Sequence, residues 1–370
     1  MRAVLDTIPG QERAMAFMQS AAERPHHAYV LAGPEGSGKS LAARAFAAAL
    51  LCRRGGCGEC RDCRLALKDQ HPNEFLVEPE GRDIHVDTIR EEVWTPASRT
   101  APEPGRKIFV IRESDRLSPA AADTLLKVLE EPPADTVFLL MSARAHELPE
   151  TIRSRCHTVS FAALSEAFVV EVLMAEGIDE THALLAARLT GGNLGRARRL
   201  ATSEDGLAFR DAAVEALDQA ARGPTGALAA ADLVIVAAAT YKKGLKAELE
   251  QELSPFLDQK GRPEDVYRGA IRRIETRFQR RERRAERDYV DWVLLAVSSL
   301  LRDRVAGQVG SPRADLLNPD LALSPDLSIV RATRGFAGVE EARAALAEDL
   351  NLNTRLVLER AFLALAEIAA

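Results

Sequence analysis

Aromatic residues are scarce in this chain of 370 residues: Phe, Trp and Tyr together make up 5% of it. Alanine is abundant instead. Because alanine is the best helix former, this composition predicts a helix-rich protein whose helices pack through small side chains. Apolar residues are 46% and charged residues 28%, which excludes a largely disordered chain. At about 100–200 residues per domain, the length predicts two or three domains.

Long apolar runs are lacking as well. No run approaches the roughly 18 residues that cross a bilayer, and the first residues lack the apolar core of a signal peptide. Neither sign of charge dominates, since 49 basic and 55 acidic side chains give a formal net charge of -6. This balance argues against a generally basic surface that coats nucleic acid. We therefore expect a cytoplasmic protein with no membrane partner.

Cysteine is rare, but four of the five cysteines lie within twelve residues. A disulfide framework does not suit a reducing cytoplasm, so the clustering favours metal binding. The predicted ligands are Cys52, Cys57, Cys60 and Cys63. Four thiolates favour a structural, tetrahedral Zn²⁺ with no open position for catalysis. The alternatives are free thiols or another soft metal. His71 is predicted to be a loop residue and not a further ligand.

The first 165 residues alternate apolar, strand-like runs with helical segments. The candidate strands are Ala28–Ala32, Glu74–Val77, Lys107–Ile111, Thr136–Met141 and His157–Phe161. Such runs suit parallel strands covered on both faces, and their alternation with helices predicts an α/β domain with a parallel sheet. Beyond it the strand signal fades. We predict a nucleotide-binding domain over 1–165 with a zinc module at 52–63, a small helical unit over 166–206 and an all-α domain over 207–370.

A phosphate-binding loop follows the first candidate strand. The segment matches G-x-x-x-x-G-K-[ST] in full and lies between a predicted strand and a predicted helix, which is the context that the motif requires. The predicted nucleotide-binding residues are Gly33, Pro34, Glu35, Gly36, Ser37, Gly38, Lys39 and Ser40. Backbone N–H groups of such a loop surround phosphate oxygens, the lysine reaches the β- and γ-phosphates, and the Ser40 hydroxyl can ligate Mg²⁺.

Hydrolysis is less well supported than binding. A P-loop ATPase normally ends a later strand with an Asp that holds Mg²⁺, followed by a catalytic Glu. Here Glu113 is in place, but Arg112 occupies the position of the metal-holding Asp. A cation there opposes Mg²⁺ binding, because two positive centres repel in a poorly screened site. The alternative is that Arg112 only caps the strand and pairs with Glu113 or Asp115. In either case the usual acid is missing.

These segments together resemble the bacterial DNA polymerase III clamp-loader ATPases of the AAA+ class. The resemblance lies in the strand and P-loop, the four-cysteine insertion, the segment Asp123-Thr-Leu-Leu-Lys-Val-Leu-Glu-Glu-Pro-Pro133 and the segment Leu148-Pro-Glu-Thr-Ile-Arg-Ser-Arg-Cys156. It is specific over about residues 8–165 and extends to the helical remainder only in layout. The delta-prime type of subunit is the most similar, since the tau/gamma motor type keeps the Asp-Glu pair that Arg112 interrupts.

The resemblance implies an AAA+ domain, a helical lid and a C-terminal helical collar that assembles a pentamer. It implies that Arg155 is an arginine finger reaching the γ-phosphate held by a neighbouring subunit; the alternative is a surface ion pair at a helix end. Gly10 and Gln11 match the family's segment near the adenine. The lid position aligned with the family's nucleotide-sensing arginine is Gly195, with Arg196 one residue later.

The resemblance also implies partners: the tau/gamma motor, the delta subunit, and the sliding clamp with primed DNA through the complex. The expected cofactors are Zn²⁺, ATP or ADP, and Mg²⁺. No set of carboxylates for two metals is evident, so we expect no polymerase active site in this chain. Two rival interpretations remain, a self-sufficient motor ATPase and a zinc-dependent nucleic-acid-binding module.

An arginine-rich stretch remains unassigned. Residues 272–287 contain eight arginines and three glutamates, and Ile271, Ile274 and Phe278 recur at helical spacing beside them. One interpretation is a basic helix that faces DNA or an acidic partner. The other is a solvated helix face with Glu–Arg pairs one turn apart.

Overall fold

The structure is a computed structural model that describes residues 3–6, 8, 10–79, 83–202, 204–254, 268–321, 327–348 and 352–366. The chain divides into two compact units. The first unit comprises Met1–Phe168 and Gly192–Leu194, and the second comprises Val169–Gly191 and Gly195–Ala370. Each unit is described separately below.

A five-stranded parallel sheet forms the centre of the first unit, as the sequence predicts. Its strands are β1 (Ala28–Ala32), β2 (Glu74–Val77), β3 (Lys107–Ile111), β4 (Thr136–Ser142) and β5 (His157–Ser160). The strand order is β2-β3-β4-β1-β5. Three predicted strands agree with these bounds, and the other two differ by one residue at the end. Ala32 lies opposite both Ser142 and Ser160, so β4, β1 and β5 end at the same edge of the sheet.

Helices cover both faces of this sheet, which explains the continuous apolar runs. Alternate strand residues enter different cores: Tyr29 and Leu31 pack in one, Ala28 and Val30 in the other. The helices of this unit are α1 (Ala3–Asp6), α2 (Glu12–Ala21), α3 (Lys39–Leu51), α4 (Arg61–Ala66), α5 (Val86–Ile89), α6 (Thr95–Ser98), α7 (Pro119–Glu130) and α8 (Glu150–Arg153). A π-helical turn, Arg90–Trp94, joins α5 to α6.

The second unit is helical in its described residues. The remaining helices of the chain are α9 (Glu166–Ala175), α10 (Glu180–Thr190), α11 (Leu194–Thr202), α12 (Glu204–Ala221), α13 (Pro224–Leu253), α14 (Arg268–Gln308), α15 (Ile329–Glu348) and α16 (Thr354–Ala366). The core shared by α12 to α16 is rich in alanine, consistent with the predicted small-residue packing. In α15, a Cβ added to Gly338 comes within 2.8 Å of the Ala364 Cβ in α16, so these two helices approach closely at the glycine.

One segment of α13, Pro224–Lys246, is long and apolar enough to cross a membrane by length and composition alone. No such helix was predicted. The alanine content of α13 accounts for much of the apolar character of this segment. Ala227, Ala230, Ala231, Val234 and Ala238 are fully buried in the core of the second unit. A row of buried residues at this spacing is typical of a core helix in a globular protein, so the helix is weak evidence for a membrane.

Candidate functional site

The phosphate-binding loop lies at the sheet edge where β1 ends and α3 begins. Gly36 and Gly38 adopt left-handed backbone angles, with φ of 75° and 93°, which a residue with a Cβ rarely takes. The amide of Gly33 donates to the carbonyl of Ser142 at 3.2 Å and fixes the start of the loop to β4. Ser40 is exposed in the first turn of α3. The loop thus presents a helix N-terminus to solvent, the arrangement that favours an anion.

The side chain of Lys39 is folded back onto this loop. Its Nζ donates to the carbonyls of Gly33 at 2.5 Å and Pro34 at 2.7 Å. Burial lowers the pKa of Lys39, whereas the charges of Glu35 and Asp115 oppose that shift. The ammonium is therefore held among loop carbonyls, which engage two of its three N–H donors.

Gln11 connects the loop to the strand edge beside it. Its Nε2 donates to the carbonyl of Ser37 at 3.0 Å and to that of Ala162 at 2.7 Å, and its Oε1 accepts from the amide of Ala162 at 3.1 Å. Gln11 is 5% exposed. The resemblance predicts a contact with the adenine, but the structure shows the amide of Gln11 engaged with backbone. Its contact with nucleotide stays a prediction.

Asn193 lies against the loop, and the sequence analysis did not predict it. A Cβ added to Gly36 would come within 2.2 Å of the Asn193 Cγ. Asn193, two residues before the aligned lid position, therefore lies close to the loop. Arg196, in the second unit, pairs with Asp291 at 3.6 Å. The Gly192-Asn-Leu-Gly motif carried no signal that would single out its asparagine.

Arg112 follows β3 and belongs to an ion-pair network. Its guanidinium pairs with Glu78 at 2.5 Å and with Asp69 at 2.9 Å, and Asp69 also accepts from Arg44 of α3 at 2.7 Å. The charges of Glu78 and Asp69 raise the pKa of Arg112 against the opposing effect of its burial. The alternative in which Arg112 pairs with Glu113 or Asp115 is wrong. The position of the usual metal-holding Asp is thus part of a structural network that includes the segment after the four-cysteine insertion.

The two acidic residues after Arg112 have different surroundings. Glu113 has a left-handed backbone, with φ of 48°, and its carboxylate pairs with Arg116 at 3.1 Å. Asp115 is nearly buried; it accepts from Ser142 Oγ at 2.7 Å and pairs with Arg144 at 3.3 Å. Ser142, which donates to Asp115, also accepts from the Gly33 amide at the start of the loop, so Asp115 is the acid of this segment that lies beside the loop. The sequence could not indicate which of the two would do so.

The four clustered cysteines converge at the end of α3 and the start of α4. The Sγ–Sγ distances are 3.8 Å between Cys52 and Cys57, 3.6 Å between Cys52 and Cys60, and 4.0 Å between Cys57 and Cys63. Four sulfurs at about 2.3 Å from a tetrahedral zinc are separated by about 3.8 Å. The cluster therefore has the dimensions of a Cys₄ zinc site. Backbone hydrogen bonds from Cys60 and Glu59 lower the pKa of Cys57 to about 6, which favours the thiolate.

A second group of potential ligands lies beside this cluster, formed by Asp62, His71 and Glu103. Arg61 makes a bidentate contact with Glu103, both distances being 2.9 Å, and supplies the positive charge there. His71 Nδ1 accepts from the amide of Asn73 at 3.1 Å, so its Nε2 carries the proton when the ring is neutral. A protonated nitrogen cannot ligate a metal. These residues fasten the insertion and do not form a second metal site.

Arg155 lies just after α8, close to the end of α7. Its guanidinium donates to Glu130 Oε1 at 2.7 Å and to the carbonyl of Thr151 at 2.9 Å. The side chain is 36% exposed. The structure of the single chain thus shows the surface ion pair at a helix end. An action on a neighbouring subunit's nucleotide stays a prediction.

The arginine-rich stretch lies in α14. Ile271, Ile274 and Phe278 are buried, so the apolar spacing marks the face toward the core. The side chains of most of its arginines lie outside the described residues. Its role therefore stays open between the two interpretations.

The five-stranded parallel sheet and the P-loop after β1 define a P-loop α/β fold. Residues 10–165 match the family described as DNA polymerase III, delta subunit. The chain is 38% identical over 205 residues to DNA polymerase III subunit delta' of Pseudomonas aeruginosa, covering 53% of this chain and 61% of that protein. It is 32% identical over 203 residues to subunit delta' of Bacillus subtilis, covering 53% and 60%. The resemblance to the bacterial clamp-loader family is confirmed.

The chain therefore matches about three-fifths of the length of these relatives. Among solved structures, it is similar to a DNA polymerase III gamma subunit-related protein from Thermotoga maritima, with 15% identity and a TM-score of 0.43 over 94% of this chain and 96% of that one. This likeness is too distant to carry an argument.

Proposed function

We propose that this chain is a delta-prime-like subunit of a DNA polymerase III clamp loader and helps to load the sliding clamp onto primed DNA. The observation that carries the proposal is the similarity to subunit delta' across the nucleotide domain, from the P-loop to the Ser154–Arg155–Cys156 motif. The partners are then the tau/gamma motor and the delta subunit, with clamp and DNA contacted through the complex. The protein acts in the cytoplasm, and 166–206 and 207–370 serve as its lid and collar.

The P-loop binds ATP or ADP in this proposal. The donor set fits a phosphate chain: loop amides and the start of α3 supply N–H groups, and Lys39 supplies the positive charge. The Ser37 hydroxyl also supports the fit, since it is buried and has no hydrogen-bond partner in the described part of the chain. Ser40 is placed to ligate Mg²⁺, which would screen the phosphate charge.

Turnover of that nucleotide is slow or absent in the isolated chain. Arg112 replaces the acid that holds Mg²⁺, and its two ion pairs keep a guanidinium there. Glu113 is committed to Arg116 and lacks a metal-holding neighbour. The subunit is then a stator that binds nucleotide and contributes to hydrolysis elsewhere. The rival interpretation, a self-sufficient motor ATPase, requires an acid in place of Arg112.

The four cysteines hold one structural zinc. The sulfur separations support this assignment, and four protein ligands leave the ion no position for a substrate. The zinc would fix the turn between α3 and α4. The rival interpretation as a zinc-dependent nucleic-acid-binding module predicts DNA affinity that disappears with the metal, whatever the nucleotide.

Arg155 acts in trans as an arginine finger. A guanidinium at the γ-phosphate of an adjacent subunit stabilises the charge that develops during phosphoryl transfer, and such fingers contribute about 10³–10⁵ in rate. Its exposed position after α8 supports this role, since a finger must reach a second chain.

Reconstitution tests the proposed function. The chain is mixed with purified tau/gamma and delta subunits, and clamp loading onto primed DNA is measured with and without it, together with ATP turnover. We expect a stable complex whose clamp loading depends on this chain, while the chain alone hydrolyses ATP more slowly than about 1 s⁻¹. Failure to assemble, or DNA-stimulated turnover by the isolated chain at a motor's rate, would overturn the proposal.

A further inference from the structure

We infer that Glu130 is a positioning residue for Arg155: it holds the guanidinium in place before a neighbouring nucleotide arrives. The inference rests on the proposed function, because it concerns the residue through which Arg155 acts. It begins from the contact between Glu130 Oε1 and Arg155 Nη2 at 2.7 Å, which joins the last residue of α7 to the second residue after α8.

A free arginine side chain at this place would be poorly ordered. An arginine loses rotamer entropy when its guanidinium is fixed, and that loss opposes any contact it makes with a phosphate. In this structure the guanidinium is held from two sides. Nη2 donates to Glu130, and Nη1 donates to the carbonyl of Thr151 and, at 3.4 Å, to the hydroxyl of Ser154. The side chain is thus ordered in the single chain.

The position of Glu130 at the end of α7 explains why the pair forms. A helix C-terminus carries a partial negative charge, which disfavours a carboxylate there. The Arg155 guanidinium compensates for this charge. Both side chains remain more than a third exposed, at 44% for Glu130 and 36% for Arg155. A third group can therefore reach the guanidinium from solvent, as a finger requires.

An arginine has five N–H donors in a planar fork, so one carboxylate oxygen and two local acceptors do not exhaust it. Glu130 can keep its hydrogen bond while other donors of the same fork contact phosphate oxygens. Positioning, and not sequestration, is the effect that this geometry supports. Removal of Glu130 should then lower the rate of hydrolysis in the adjacent site and leave nucleotide affinity there nearly unchanged.

The test uses the reconstituted complex in which the P-loop lysines of the other nucleotide sites are substituted, so that turnover reports the site next to this chain. Glu130→Ala, Glu130→Gln and Arg155→Ala are compared with wild type. The matched control is Glu131→Ala, which removes the neighbouring exposed carboxylate. Assembly of each complex is verified first. We expect Glu130→Ala to lower kcat about two- to fivefold with little change in KM, as suits an exposed ion pair. Glu130→Gln should recover most of the rate, because the amide oxygen still accepts from Arg155.

The double variant separates this inference from the proposed function. If Glu130 acts through Arg155, Glu130→Ala has no further effect once Arg155 is alanine. An unchanged rate in Arg155→Ala overturns the finger itself. A reduced rate in Arg155→Ala together with a wild-type or faster rate in Glu130→Ala overturns only the positioning role. An equal loss in Glu131→Ala would mean a general effect of charge at the end of α7 and would also overturn it.

Discussion

Arg112 and Asp69 form an ion pair of 2.9 Å that joins the end of β3 to the segment after the four-cysteine insertion. Asp69 is nearly buried, has a left-handed backbone with φ of 56°, and is shared with Arg44 of the helix that follows the P-loop. The substitution that removes the usual metal-holding acid therefore has a structural consequence as well as a chemical one. It fastens the segment that follows the insertion to the end of β3 through a guanidinium.

Arg112→Asp should destabilise the protein and should not create an ATPase. The change places a third carboxylate beside Glu78 and Asp69 and removes the cation that these two residues share. Breaking a buried pair in this way costs about 3–5 kcal/mol. Denaturant unfolding measures the loss, and Arg112→Lys, which keeps a cation, serves as the control. Wild-type stability of Arg112→Asp would show that the network is dispensable. A gain of ATP turnover would contradict the expectation that the change creates no ATPase.

Lys39→Ala should remove most of the affinity for ATP, as measured by calorimetric titration. The lysine supplies the positive charge that the loop directs to the phosphates. The substitution should affect folding less than it affects nucleotide binding, because burial in the folded chain already disfavours the charged form of Lys39. The exposed Lys68→Ala is a suitable control. Affinity equal to wild type in Lys39→Ala would exclude the loop as the phosphate site.

One zinc per chain should co-purify with the protein when no chelator is present, and elemental analysis checks the amount. Cys60→Ser should lower the metal content and destabilise the chain by more than about 2 kcal/mol, because the ligand shell is structural. Cys156→Ser is the matched control, since Cys156 lies outside the cluster. Full metal content in Cys60→Ser, or none in wild type, would contradict the assignment.

Gly36→Ala should weaken both stability and nucleotide binding. The new methyl group meets Asn193 at about 2.2 Å while the backbone keeps a left-handed φ. The control is Gly177→Ala, where φ is also positive, at 91°, but no atom lies within 4 Å. That variant should show only the cost of a left-handed alanine, roughly 1–2 kcal/mol. The difference measures the contact with Asn193, about 1–3 kcal/mol by the usual cost of overpacking. Equal losses in the two variants would argue against that contact.

His26, His27 and His157 form a histidine cluster near the start of β1, and this cluster should make the stability of the fold depend on pH. Burial, then the charges of His26 and His157, lower the pKa of His27. The unfolded chain therefore binds more protons than the folded chain below the ordinary histidine pKa of about 6.5, and stability falls as pH decreases through that region.

His27→Gln should reduce this loss, as measured by thermal unfolding between about pH 5 and 8. His146→Gln is the control, because the side chain of His146 is 78% exposed. A pH dependence that is the same in both variants and the wild type would assign it to other groups.

Much of this protein follows from local sequence. The three central strands, β1, β3 and β4, are short and mostly apolar runs, and burial on both faces of a parallel sheet is the environment that suits them. Ser118 followed by Pro119 begins α7, and the Ser118 hydroxyl accepts from the Ala121 amide. The P-loop and the cysteine spacing are local in the same sense: their ligand groups lie within a dozen residues, so the chain brings them together without help from distant segments.

The tertiary structure decided the partners of these groups, because contacts between distant segments leave no periodic or spacing signal. Arg112 meets Asp69 and Glu78 across 43 and 34 residues, and the sequence suggested its immediate neighbours instead. Gln11 meets Ala162 across 151 residues, a contact that the sequence did not indicate. Local pattern thus determined which residues could bind phosphate and metal. Only the fold determined which charges surround them, since electrostatic pairing depends on distance in space and not along the chain.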